Sequence, residues 1–233
     1  MTHTGIDGCP AGWIAISHCD GQLDWAIAAS LDRLLPTLPT TGPIFIDMPI
    51  GLSSEGDRAC DVAARHFLGS ARRASIFSAP LRQLLDCINH QQANILSRTL
   101  QNKGLSIQSW HIVPKIRAVD AYLQQQAAAE RRLREAHPEV AFQALAGAPL
   151  RYSKKDPEGL AERLEILGRC HDQARPLYEN ILTATKRRDV ARDDIVDALC
   201  LALMPSGGRQ LHSLPEVPPK DSTGLPMEIC YFV

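Results

Sequence analysis

The sequence predicts an α/β domain on a mixed sheet flanked by helices, its first three strands antiparallel and later strands parallel, with a helical insertion. Three observations predict it. Short apolar runs separated by tight-turn residues fill the first 28 positions. A short helical segment then leads into the continuously apolar run Pro43–Asp47, the pattern of a strand buried on both faces. Most of the remaining chain carries helical rather than alternating periodicity.

Taken in order, Thr4-Gly5-Ile6-Asp7 is the first strand, broken by Gly8, Pro10 and Gly12. Trp13–Ser17 is the second, and Asp20-Gly21 signals a hairpin into a third, Leu23–Ala28. Ser30 offers a cap for a short helix, Leu31–Leu35, that Pro36 ends. The strand Pro43–Asp47 follows a helix and so is expected to join the first strand in parallel. Asp57–Leu68 forms an amphipathic stripe through Ala59, Val62, Ala63 and Phe67. Ser70–Pro80 reads as a basic loop, Leu81–Lys103 as one helix or two, and Lys115–Glu135 as a long helix. His137–Phe142 reads as a strand or strand edge. Two helices follow, Pro157–Gly168 and Arg169–Lys186, and then the strongly apolar Asp193–Met204. Residues 205–226, rich in Pro and Gly, read as loop, and Glu228–Val233 as a last strand. With no internal repeat or linker, residues 1–233 read as a single domain with a helical insertion at roughly 53–135.

Composition narrows the class. With 45% hydrophobic and 22% charged residues the chain is neither disordered nor fibrous. No apolar run approaches membrane-spanning length and no secretory leader opens the chain, so the expectation is a cytoplasmic protein without membrane partners. Seven scattered cysteines without a Cys-x-x-Cys pair argue against a disulfide framework and a thiolate zinc site. The net charge of −1 hides an asymmetry. Between Val62 and Val119 eight basic residues face one acid, Asp86. Such a segment makes either a phosphate-attracting face or a surface balanced by acids folded beside it.

Acids stand where acids are awkward. Asp7 ends the first strand and Asp47 ends the buried one, so neighbouring strands bring the two carboxylates to one edge. Like charges that close need an offset, and a divalent cation supplies one; the bland alternative is that each Asp bonds its own turn. Asp193, Asp194 and Asp197 share one helical face. The first two are suited to capping, but Asp197 sits where the helix enters the core. Glu139 is a fourth candidate, and His137 is either a proton carrier or a turn residue.

The ordered motifs Gly5-Ile-Asp7-Gly-Cys-Pro-Ala-Gly-Trp13, Ile46-Asp-Met-Pro-Ile-Gly-Leu52, Arg58-Ala-Cys-Asp61, Arg72-Arg73-Ala-Ser-Ile-Phe-Ser-Ala-Pro80, His137-Pro-Glu139, Ser153-Lys-Lys155 and Asp193-Asp-Ile-Val-Asp-Ala-Leu199 resemble the domain-of-unknown-function 429 family, described as predicted RNase H-like nucleases. The pattern departs at Ala118, where an acid is usual. The resemblance implies an RNase H-like fold and, more distantly, likeness to Holliday-junction resolvases, which implies a homodimer. It also implies a nuclease that binds nucleic acid and uses magnesium or manganese. Asp7, Asp47, Asp194 and Asp197 would be the metal ligands, with Glu139 joining them in catalysis. Arg72, Arg73, Lys154 and Lys155 would hold phosphates. Two alternatives stay open: a non-catalytic nucleic-acid-binding or scaffold protein on the same fold, and a phosphotransferase of the actin and sugar-kinase type, which shares the Gly-Ile-Asp opening.

Overall fold

The computed structural model describes residues 2–127 and 131–233. Five strands form one sheet in the order β3-β2-β1-β4-β5, with β1 Thr2–Cys9, β2 Gly12–Cys19, β3 Gln22–Ala28, β4 Ile44–Ile46 and β5 Leu133–Glu135. The first three are antiparallel, while β1–β4 and β4–β5 are parallel. This mixed sheet with flanking helices is consistent with an RNase H-like fold. The β2–β3 hairpin turns at Asp20 and Gly21, both at positive φ (49° and 83°), which is why that dipeptide carries the signal.

Helices cover both faces. Helix α1 (Leu31–Leu34) and helix α4 (Ile107–Gln124) bury Ile6, Ala15, Ile44 and Ile46 on one side. Ser30 flanks α1 without making a side-chain cap bond. On the other side α8 (Arg192–Leu203) is buried at every position from Ile195 to Leu203 and packs against Ile14, Ile16 and Phe45. Around it lie α5 (Pro138–Ala146), α6 (Pro157–Cys170) and α7 (Ala174–Ala184). The β4–β5 crossover carries α2 (Ala59–Arg72), α3 (His90–Gln101) and α4.

Of the two readings of Leu81–Lys103, the structure bears out two helices, a short 3-10 helix, Arg82–Asp86, and then α3. Several other expectations are corrected. The long helix expected over Lys115–Glu135 is instead α4, which starts at Ile107 under a Ser106 cap and runs through Pro114. Residues 128–130 of that span lie outside the described residues, and its end is β5, where Leu133 and Glu135 are buried in alternation. His137–Phe142 is not a strand. Pro138 starts α5 at its first turn, where the missing N–H costs nothing, and His137 Nδ1 accepts from Glu139 N. Within the expected loop 205–226, Leu211–Leu214 forms β6, paired with β7 (Ile229–Phe232) in a separate hairpin.

Gly5 sets the distance between β1 and α8. A Cβ there would lie 2.1 Å from Ala198 O and 2.4 Å from Ala202 N, both backbone atoms of α8. Gly5→Ala is therefore expected to cost about 1–3 kcal/mol or more, since neither backbone can yield locally. Urea denaturation would measure it; a loss within experimental error would mean that α8 shifts freely.

Candidate metal centre

Strand alternation aims the acids. Ile6 and Ile46 face α1 and α4, so Asp7, like Gly5, faces α8, and Asp47 follows Ile46 onto that face. The parallel register pairs Ile6 with Ile46, and Asp47 N donates to Ile6 O at 3.0 Å, which places the two acids side by side. The close approach of α8 at Gly5 carries Asp197 onto the same spot. One carboxylate oxygen from each of Asp7, Asp47 and Asp197 lies within 4.8 Å of the others.

The remaining predicted residues divide. Asp194 Oδ2 accepts from Ala191 N at 2.8 Å, closing the first turn of α8 beside the cluster. Glu139, in the first turn of α5, gives Oε1 to the buried Arg163, while its Oε2 is buried without a hydrogen-bond partner. Lys154 Nζ donates to Asp197 Oδ2 at 2.9 Å and lies 3.4 Å from Asp193 Oδ2, so it is the cation nearest the cluster among the described residues. Arg72 holds the carbonyls of Leu150 and Tyr152, fixing the loop that presents Lys154. Arg73 and Lys155 are exposed.

Much of the basic segment is spent internally. Arg65 pairs with Asp57, Arg82 with Asp120 and Asp221, Arg117 with the Leu85 and Cys87 carbonyls, and Lys115 with those of Cys9 and Gly12. Of the two readings of that segment, these contacts favour charges balanced within the fold.

Burial is the main force on the acids; neighbouring charges reinforce it at Asp7 and mostly oppose it at the others. It holds Asp7 well above the usual carboxylate range, reinforced by Asp47, Asp197 and Asp194. Burial also raises Asp47, and pushes Asp197 up to about 7 against the opposing charge of Lys154. Asp194 is pushed by burial up to about 6. The folded chain therefore holds protons that the unfolded chain gives up near pH 4. Stability from these groups is complete below that pH and is lost as pH rises through about 6–7. A cation needs the ionised ligands. Manganese is thus expected to raise the melting temperature more at about pH 8 than at about pH 5.5, as read by scanning fluorimetry; a shift independent of pH would count against these ligands.

A second cluster shows the contrast. Cys60, Asp61 and Glu135 also lie within 4.8 Å of one another, but Arg58 fills that site. Its guanidinium donates to Glu135 at 2.7 Å through two nitrogens and to Asp61 at 2.6 Å. Sequence reasoning missed this triad and the Arg163–Glu139 pair. Arg58 and Asp61 were visible as a motif, but Glu135 joins from 77 residues away, and Arg163 meets Glu139 across 24.

Among the described residues no helix is long and apolar enough to cross a membrane. No curated protein and no solved structure matches the chain. One family model does, over residues 5–218, and it takes in Asp7, Asp47, Glu139, Lys154 and the whole of α8. The chain belongs to that family, described as Protein of unknown function (DUF429).

Proposed function

We propose that the protein is a magnesium- or manganese-dependent phosphodiesterase acting on nucleic acid. The observation that carries this reading is the convergence of Asp7, Asp47 and Asp197 from two strands and a helix, beside a lysine rather than an arginine filling the site. Three hard oxygen donors suit these cations, which keep several waters as further ligands. The buried, unpartnered Glu139 Oε2 adds an acceptor close enough to Asp47 to raise it electrostatically. All seven cysteines are free thiols, which supports a reducing, cytoplasmic setting.

When bound, the cation would acidify a water and neutralise charge on a phosphoryl oxygen. Asp7, Asp47 and Asp197 would hold it, and Asp194 would add negative charge at the rim. Glu139 Oε2 would accept the proton from the attacking water, kept in place by the Arg163 bond to Oε1. Lys154 Nζ would exchange its contact with Asp197 for a phosphate oxygen, and Arg73 and Lys155 would meet flanking phosphates.

The test is a cleavage screen of single-stranded and duplex DNA and RNA with manganese or magnesium. Cutting that chelation stops, and that Asp7→Asn and Asp197→Asn both lose, is the expected result. Cutting that survives both substitutions, or no cutting of any of the four substrates, would overturn the reading.

A further inference from the structure

Among the described residues, Phe77 and Tyr152 are the Phe, Tyr and Trp side chains that remain exposed, at 63% and 47%. Single exposed rings are ordinary. What sets these two apart is how firmly the chain beneath them is held. Around Phe77, Arg65 donates to Ile76 O and to Ser78 Oγ, Asp61 accepts from Ala79 N, and Ile76 itself is buried. Around Tyr152, Glu162 accepts from the backbone N–H groups of Arg151 and Tyr152, and Arg72 donates to the Tyr152 carbonyl. Fixed backbone under an exposed ring lowers the ordering cost of binding.

The loop that carries Tyr152 lies against the carboxylate centre. Tyr152 stands two residues before Lys154, which touches Asp197. Arg72 ties the two loops together, since it starts the segment leading to Phe77 and binds the carbonyl of Tyr152. Exposed cations lie close to the rings in sequence: Arg73 before Phe77, and Arg151 and Lys155 on either side of Tyr152. Isolated rings among cations do not make the continuous apolar patch that a protein partner would bury. They match a strand that alternates base faces with phosphates.

We propose that Phe77 and Tyr152 form a stacking platform for unpaired bases of a single-stranded nucleic acid lying across the carboxylate centre. The proposal rests on the phosphodiesterase reading and narrows its substrate class. In a duplex the base faces are covered by their neighbours, so these rings have nothing to stack on. The shared chemistry is a base face flanked by phosphates, whether the sugar is ribose or deoxyribose.

Fluorescence anisotropy with labelled oligothymidylate and oligouridylate of about 12 nucleotides tests it, with calcium replacing manganese so that the strand is held and not cut. Phe77→Ala and Tyr152→Ala are each expected to weaken binding roughly 5- to 100-fold, the scale of one stacked base. Phe77→Tyr and Tyr152→Phe should restore it, and a duplex of the same length should bind more weakly and be indifferent to both alanines. A response confined to one oligonucleotide assigns the sugar. Manganese titration of the same variants should match the unmodified protein, which separates failure of the platform from failure of the metal centre. Strand affinity unchanged in the double alanine variant, no affinity of the unmodified protein for either strand, or equal losses with duplex would overturn the proposal.

Discussion

Asp7→Asn is expected to lose manganese binding and, in metal-free buffer, to melt at a higher temperature than the unmodified protein. Both effects have one cause. Asp7 faces Asp47, Asp197 and Asp194, and burial denies it water. Asparagine keeps the size and the oxygen that accepts from Gly8 N, but carries no charge. A cation loses one of three carboxylates, so affinity should fall by more than ~100-fold, beyond what losing a supporting hydrogen-bond partner costs. Without the cation, removing one repelling charge should stabilise by about 1 kcal/mol, or ~2–4 °C in a chain of this size. Asp197→Asn should weaken binding likewise, though it also releases Lys154 from its 2.9 Å contact. Asp172→Asn, an acid whose side chain is 88% exposed, is the control and should change neither quantity. Calorimetric titration and scanning fluorimetry read the two effects. A variant that binds manganese normally removes the centre, and one that binds nothing yet melts lower makes Asp7 a structural residue.

Arg58→Met carries the largest expected loss of stability, about 3–5 kcal/mol, because it strands buried Glu135 and Asp61 without their shared cation. Burial already holds Glu135 up at about 7 with Arg58 beside it. Without that guanidinium Glu135 would rise further and take a proton. The folded form then gains protons that the unfolded chain lacks. The deficit should therefore be smaller at about pH 5 than at about pH 8. Neutralising the partners as well, in Arg58→Met with Asp61→Asn and Glu135→Gln, should recover much of the loss, since a whole buried ion group is often replaceable while a broken one is not. Urea denaturation of the single and triple variants would check both. A single variant as stable as the triple would show that the triad is not a balanced unit.

Where sequence served well, the signal was local. The β2–β3 turn needed two residues at positive φ, and Asp20-Gly21 supplied them. Asp7 and Asp47 were legible because each follows an apolar run at the end of a strand, and Asp197 because it interrupts the apolar run of α8. Other features depended on partners elsewhere. Strand β5 has three residues, one of them arginine, and is a strand because β4 offers it an edge. Helix α5 was hidden by Pro138, which breaks a helix from within but starts one at the first turn. Strand β6 is read as loop until β7 lies beside it. Arg72 and Lys154 have the composition of a phosphate clamp, yet their bonds to the Leu150 and Tyr152 carbonyls and to Asp197 exist only after distant segments meet.

The sheet face that α8 covers also has a history in synthesis. Strands β1 to β3 pair with one another within the first 28 residues, but β1 keeps an open edge until β4 follows, and the cover of this face comes from residues 192–203. At ordinary translation speed the meander waits roughly 10–40 s for that helix, with Ile14 and Ile16 turned toward an absent partner. A nascent chain stalled before α8 should therefore be the form that chaperones hold and that aggregates when released. Asp7 would meet Asp197 only after the ribosome has delivered almost the whole chain.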